Sequence, residues 1–394
     1  MSGPVKEIEV RLARCGDLPD LGLGAWAQDR CREIFSRPFR TLHAACELYA
    51  ARVAYDLAGD LGWHGKLRAG ATLEACLAGL HPQARIPAEW MLLFLVEEDL
   101  LRREGLSFHL EGEPAYSLAD LRAAAEEACP GHGVNLDLLD SIRRQILPFF
   151  TEGRPGEQLL FDLTTLPQWL SFFSNRNPEY LPNNLFALLA LRDGLPPGAR
   201  VLELGAGAGS FAELLAEEAA REGWLDRISD YRFTDVTPTF MRKAQREMKS
   251  RAPGLPLSYQ TVDLNRPFEE QGLTPGCLDA IVGVNVVHVA HDLLNTLRRL
   301  RVLLAPGGRL IIGECMKPDL AKPIYLEFFF KFVKSFTDVK VDPEYRPVGG
   351  FLTPEAWDKA LRHAGFRNVR RYPDTRALMQ AYPTFYVGAL NAEA

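Results

Sequence analysis

Short apolar runs alternate with amphipathic ones through the second half of the chain. Val201, Leu202 and Leu204 form one such run, and helical spacing follows from Phe211 to Arg221. The unit recurs: 231–235, 257–264 and 278–288 read as strands, 292–304 as a helix, and 309–313 as a strand ending at Glu314. Continuous apolar strands between helices imply a mainly parallel, doubly wound sheet, because each face then needs a helical layer over it. Residues 369–372 and 385–390 read as closing strands, and Leu352-Thr353-Pro354-Glu355 as a helix start with Thr capping and Pro in the first turn. The interval 317–352 interrupts this alternation. Its aromatic run, 325–333, reads as a capping helix with a core face and also as the wall of a binding pocket.

The first half carries the helical period. Residues 45–61, 71–80, 88–103, 119–128 and 136–150 read as helices and 106–110 as a strand, suggesting a small winged-helix-like unit within 71–110. A Gly- and Pro-rich stretch, 151–157, reads as a hinge. At 394 residues the chain exceeds ordinary single-domain size. We therefore expect a mostly helical subdomain over 1–157, acting as lid, docking surface or dimer contact, and an α/β core over 158–394 with an insertion at about 317–352.

Composition removes several classes. With 51 acidic and 45 basic side chains, net charge −6, the chain lacks the concentrated positive charge that a nucleic-acid groove needs. No apolar run reaches the length of a membrane span, and residues 1–11 are charged rather than signal-like. Seven scattered cysteines, an odd number without a C-x-x-C pair, suit a reduced cytoplasm better than a disulfide framework. No His/Cys/Asp cluster has metal-ligand spacing, so no metal is expected.

Candidate chemistry begins after the first strand. Glu203 precedes alternating glycines, Gly205, Gly207 and Gly209, where a strand turns sharply into a helix and backbone can lie close to a ligand. The pattern E-x-G-x-G-x-G looks like the first motif of S-adenosylmethionine-dependent methyltransferases. Read from Gly207, the dinucleotide fingerprint in its G-x-G-x-x-A form also survives, through Gly209 and Ala212. Asp235, ending the second strand, suits ribose hydroxyls in either case. Asp263, ending the third, is an acid that a dinucleotide fold does not require. His288 follows the fourth strand and Glu314 ends the next, so both belong at the carboxyl edge, where doubly wound sheets bind ligands. A carboxylate on one ring nitrogen would fix the tautomer and favour the imidazolium formed on proton abstraction.

The strings Phe233-Thr-Asp-Val-Thr-Pro-Thr-Phe240, Asn285-Val-Val-His288 and Leu303-Leu-Ala-Pro-Gly-Gly308 resemble the methyltransferase domains built into modular polyketide synthases. Those domains carry T-D-V-S-P-x-F, N-V-L-H and a carboxylate ending the strand after P-G-G. The likeness covers most of the chain, strongest over about 175–315, and includes 94–104 and Asn177-Pro-Glu-Tyr180 as the helical part leading into the sheet. Ala208 and Ser210 stand where those domains more often have Thr and Gly, and His291 stands where a basic residue is usual.

The resemblance implies a class I methyltransferase fold using S-adenosyl-L-methionine, with S-adenosyl-L-homocysteine as product. Glu203, Gly205, Ala206, Gly207, Asp235, Val236, Asp263, Leu264 and Asn285 would bind the cofactor, and His288 and Glu314 would act as base and partner. Tyr180, Asn184, His291 and Phe328 are the candidate acceptor contacts. The implied reaction methylates carbon α to a carbonyl of an acyl or polyketide-like acceptor, free or tethered to a separate carrier protein. The alternatives are O-methylation of a hydroxyl or enol, an inactive binding module, and a nicotinamide oxidoreductase. A cytoplasmic monomer or homodimer, with neither nucleic acid nor membrane as partner, is expected.

Overall fold

A computed structural model describes residues 3–382 and 387–394. The N-terminal part is built round a helix, Arg37–Asp60, that starts after Ser36 with Pro38 in its first turn. Pro is suited to that position because first-turn N–H groups have no intrahelical acceptor. The helix is longer than the expected 45–61, since Phe39 and Leu42 extend its buried face upstream. The helix Arg85–Glu97 stops short of the expected 103. Asp99 takes a left-handed φ of 57°, through which a helix cannot continue, and the chain turns into a hairpin. Strand β1 (Ala71–Thr72) pairs antiparallel with β3 (Ser107–Leu110), which pairs with β2 (Leu101–Glu104). The expected helix 136–150 is two, Val134–Gln145 and Leu147–Thr151, because Pro148 cannot donate to the first helix's last carbonyls.

The second-half runs form one seven-stranded sheet, ordered β6-β5-β4-β7-β8-β10-β9. The strands are β4 (Ala199–Leu204), β5 (Ile228–Asp235), β6 (Leu257–Thr261), β7 (Leu278–Val284), β8 (Leu304–Cys315), β9 (Arg367–Tyr372) and β10 (Val387–Glu393). Neighbouring strands from β6 to β8 are parallel, and β10 runs antiparallel to β8 and β9. Positions 385 and 386 of the expected last strand lie outside the described residues. Alternation along the strands serves two helical layers. Val201, Val282 and Ile311 join the cluster under Leu181–Arg192 and Ser210–Arg221, whereas Leu202, Ile281 and Leu310 join the one under Leu293–Leu303 and Pro354–His363.

The insertion is not the capping α-helix that its aromatic run suggests. It forms a 3₁₀ helix, Tyr325–Phe329, then a short helix, Lys334–Thr337. Its rings are buried in several directions rather than along one face. Phe328 stacks on Trp90 at 5.0 Å, Tyr325 meets His43, and Phe330 lies at 5.5 Å from Phe336. Within it, fully buried Glu327 accepts from Trp90 Nε1 at 3.1 Å and pairs with Lys331 at 3.1 Å and Lys317 at 3.3 Å. Burial works to raise its carboxyl, but Lys331 and Lys317 outweigh that and hold it below the ordinary range. One continuous buried cluster runs from Arg37–Asp60 through the insertion onto one face of the sheet, so the two parts of the chain share a core.

Candidate active site

The carboxyl ends of the parallel strands gather the polar residues. After β4 the backbone turns through Gly205 and Gly207, with φ of 55° and 51°. A Cβ on Gly205 would lie 2.3 Å from Val286 Cγ2, while one on Gly207 would meet only Gly205 O, at 3.8 Å, so that position borders open space. Asp235, at the end of β5, holds the loop in place: Gly207 N donates to Oδ2 at 2.9 Å and Thr237 N to Oδ1 at 2.6 Å. Ala206 N donates to Thr234 O at 2.8 Å. Val236 is 57% exposed, an apolar side chain left uncovered beside Asp235. Asp263 is half-buried and accepts from Asn265 N at 2.8 Å, with Leu264 buried next to it. Glu203 is buried behind the loop with Tyr231 Oη donating to it at 2.7 Å; burial pushes its carboxyl up to about 8.

β7 ends in a second special turn. Asn285 takes a φ of 50°, which Asn tolerates better than most residues, and its Oδ1 accepts from Cys315 N at 2.9 Å. The chain then enters a 3₁₀ turn, Val287–Val289. His288 Nδ1 lies 2.6 Å from Glu314 Oε2. Glu314 Oε1 accepts from Val287 N at 3.1 Å and His288 N at 3.3 Å, and the carboxylate is wholly buried. Phe336 and Phe351 stand edge-on to the imidazole at 5.5 Å and 5.0 Å. Behind the turn, the buried Arg346 guanidinium donates to His288 O at 2.5 Å and to Ala290 O. Burial pulls this guanidinium down to about 10 although Asp292 and Glu314 lie near.

A cavity of about 290 Å³ opens onto His288, with Tyr180, Asn183, Asn285, Phe172, Phe330 and Phe336 among its walls. Tyr180 and Asn285 both line it, and burial raises the Tyr180 phenol above the ordinary range. Three expected acceptor contacts are not in this wall. Asn184 is buried under the glycine loop, its Nδ2 on Ser210 Oγ at 3.0 Å and Asn175 Oδ1 at 2.8 Å. His291 is exposed, its N on Asn265 Oδ1 at 2.8 Å and its Nδ1 at 3.0 Å from Asp338 O. Phe328 faces Trp90 and Phe332 instead, since the 3₁₀ turn directs Phe330 to the cavity. Sequence reasoning missed Phe336, Phe351 and Arg346; the nearest signal was the Pro/Gly-rich tail of the insertion, where a buried arginine leaves no pattern. Cys315 is a buried wall residue whose thiol burial pushes well up. Among the described residues no His/Cys/Asp/Glu group could hold a metal ion.

Residues 202–310 match the family described as a methyltransferase domain. The chain carries a methyltransferase domain. Its strand order and antiparallel β10 are those of the class I methyltransferase fold. The chain is 33% identical over 195 residues to Highly reducing polyketide synthase 2 of Gibberella zeae, covering 48% of this chain and 7% of that protein. It is 30% identical over 170 residues to Methyltransferase calH of Penicillium decumbens, covering 43% of this chain and 44% of that one. The chain thus spans less than half the length of these relatives. Among solved structures, the CurJ carbon methyltransferase matches with a TM-score of 0.72 at 22% identity over 100% of both chains. The trans-methyltransferase CalH, solved with S-adenosylhomocysteine, matches with a TM-score of 0.60 at 20% identity over 90% of each. The glycine turn, the open space at Gly207, the uncovered Val236 and the acids ending β5 and following β6 fit S-adenosylmethionine. No described helix is long and apolar enough to cross a membrane.

Proposed function

We propose that the chain methylates carbon α to a carbonyl of an acyl, polyketide-like acceptor, with S-adenosylmethionine as donor. The buried His288–Glu314 pair opening onto an aromatic-walled cavity, next to the glycine turn, carries this reading. Gly205, Ala206 and Gly207 would lie along the cofactor, Asp235 take its ribose hydroxyls, Asp263 its adenine amino group, and Val236 and Leu264 its adenine faces. Glu203 and Asn285 complete that half. The cofactor, when bound, supplies a methyl group on a sulfonium, open to displacement by an electron-rich carbon or oxygen.

The chain's own part is proton handling and alignment. With Nδ1–H held on Glu314, His288 keeps its lone pair at Nε2, the nitrogen that can take the acceptor's α-proton. The imidazolium formed is stabilised by the carboxylate at 2.6 Å. Tyr180, lining the cavity, would hold the carbonyl oxygen through its phenol O–H. Apolar walls exclude water from the carbanion that forms, and proximity supplies the rest.

The acceptor arrives free or on a separate carrier protein, a mode that the trans-methyltransferase relative supports. The enzyme acts in the cytoplasm as a monomer or homodimer. Incubation with S-adenosylmethionine and 3-oxoacyl thioesters, followed by mass and NMR analysis, tests this: a C–CH₃ signal at the α-position is expected. An O–CH₃ signal would assign the pair to hydroxyl or enol methylation. A melting temperature raised by NAD(P) and not by S-adenosylmethionine would overturn the cofactor.

A further inference from the structure

A second buried carboxylate faces the acceptor cavity. Glu179 is one of the lining residues and is 2% exposed. Its Oε2 is fully engaged: His43 Nδ1 lies at 2.8 Å and Tyr325 Oη donates at 2.7 Å. Asn135 Nδ2 donates to that same Tyr325 oxygen at 3.1 Å, so the phenol proton is committed to Glu179. Glu179 N is tied to Asn177 Oδ1 at 3.1 Å, which fixes the residue's backbone. Oε1, by contrast, is buried without a hydrogen-bond partner. A buried acceptor left unsatisfied costs the desolvation of that atom unless something in the cavity donates to it.

We propose that Glu179 is the specificity-determining carboxylate of this cavity, receiving one neutral O–H or N–H donor of the acceptor. The proposal rests on the reading of the cavity as the acceptor site. A neutral donor suits it because the surrounding walls are mainly aromatic (Phe172, Phe173, Phe330, Phe336), where a cation would lose its hydration. The donor is a hydroxyl on the acyl chain or the amide N–H of the thioester arm. A hydrocarbon chain without either leaves Oε1 unpaired and is selected against, as sites built round a polar contact reject analogues lacking it. Gln at this position inverts the polarity: the committed Tyr325 proton keeps the amide oxygen on the Oε2 side, and the NH₂ then turns to the cavity.

The test is calorimetric binding to the S-adenosylhomocysteine-loaded protein, using two matched pairs of N-acetylcysteamine acyl thioesters. One pair differs by a chain hydroxyl, the other by N–H against N-methyl at the amide. Wild type should bind the donor-bearing member of at least one pair about tenfold or more tightly, a difference of about 1.4 kcal/mol. Glu179→Gln should lose that preference while keeping its affinity for S-adenosylhomocysteine. Equal binding within both pairs by wild type, no binding of any member, or a preference retained in Glu179→Gln overturns the proposal. If the variant fails to fold, the wild-type preferences decide alone. The acceptor reading fails separately: no methylated product from any thioester, with the binding preference intact.

Discussion

Replacing Glu314 by Gln should be more damaging to turnover than replacing it by Ala, and the reason lies in its three hydrogen bonds. Oε1 faces two backbone N–H groups, of Val287 and His288, and Oε2 faces His288 Nδ1. Backbone donors cannot reverse, so the Gln carbonyl oxygen must occupy the Oε1 position and its NH₂ must face Nδ1. Two N–H groups do not face one another, so Nδ1 becomes the acceptor and the ring proton moves to Nε2. On the proposed mechanism, the nitrogen that serves as base is then blocked. Loss of a positioned base costs about 10² to 10⁴ in rate, or about 2.7–5.4 kcal/mol at 1.36 kcal/mol per decade. Ala forces no tautomer, but it leaves two buried N–H groups unpaired, at roughly 1–3 kcal/mol of stability. Turnover should therefore run wild type, then Ala, then Gln, while stability places Gln above Ala. Single-turnover methyl transfer, urea unfolding and ¹⁵N NMR of the imidazole read the three quantities. A Gln variant faster than Ala, with the proton still on Nδ1, would refute the tautomer argument.

Other expectations follow from the same geometry. Glu203 is raised by burial to about 8 against about 4.3 unfolded, so the native state holds its proton where the unfolded chain has lost it. Stability from this group is full below about pH 4 and is lost as pH rises to 8, by on the order of 4–5 kcal/mol; the difference in unfolding free energy between wild type and Glu203→Gln across pH 5–8.5 should show that slope. Taking the difference removes the parallel contribution of Glu98, which burial pushes up to about 7. Gly207→Ala meets no side chain but sits at a φ of 51°, so it should cost about 1 kcal/mol of stability and a larger, calorimetrically visible loss of S-adenosylmethionine affinity. Arg346→Met leaves His288 O and Ala290 O without their guanidinium donor, and should lower kcat with cofactor affinity nearly unchanged. Equal losses in both would assign Arg346 to the general stability of the sheet edge.

Much of this architecture was legible because buried parallel strands write themselves as apolar runs. Val201-Leu202, Ile281-Val282 and Leu310-Ile311-Ile312 serve both faces of the sheet, so no polar positions interrupt them. The sheet edge follows from strand ends, so the strand ends alone bring His288 and Glu314 to one edge, where they meet at 2.6 Å. Helix ends were less legible, since Asp99 and Pro148 act through local backbone geometry that periodicity does not register. The insertion was least legible of all. In a run such as Tyr325 to Phe330 even the one charged residue, Glu327, is buried, so nothing in its spacing marks a solvent face or says which ring meets Trp90 and which meets the cavity. Arg346 is hidden for a related reason: a buried guanidinium held by carbonyls needs no acidic partner at a fixed spacing.

The two halves of the site are built from different physical means, and this predicts how each tolerates change. The proposed cofactor side relies on backbone: left-handed glycines, the buried Asp235 carboxylate bonded to amide N–H groups, and the half-buried Asp263. Substitution at Gly207 acts through φ alone, whereas at Gly205 an added Cβ also meets Val286. The proposed acceptor side relies on buried polar groups set among aromatic rings, Glu314 and Arg346 around His288, and Glu179 with Tyr325. Each is held by partners from elements distant in sequence, so removing one strands another in a medium that cannot solvate it. Apolar wall positions such as Phe172, Phe330 and Val333 carry no such obligation. Acceptor range should therefore shift through those rings: Phe330→Ala should admit bulkier acyl chains while leaving the His288 chemistry in place. A Phe330→Ala enzyme that loses turnover on every acceptor alike would show that the rings hold the imidazole in position and do not merely shape the cavity.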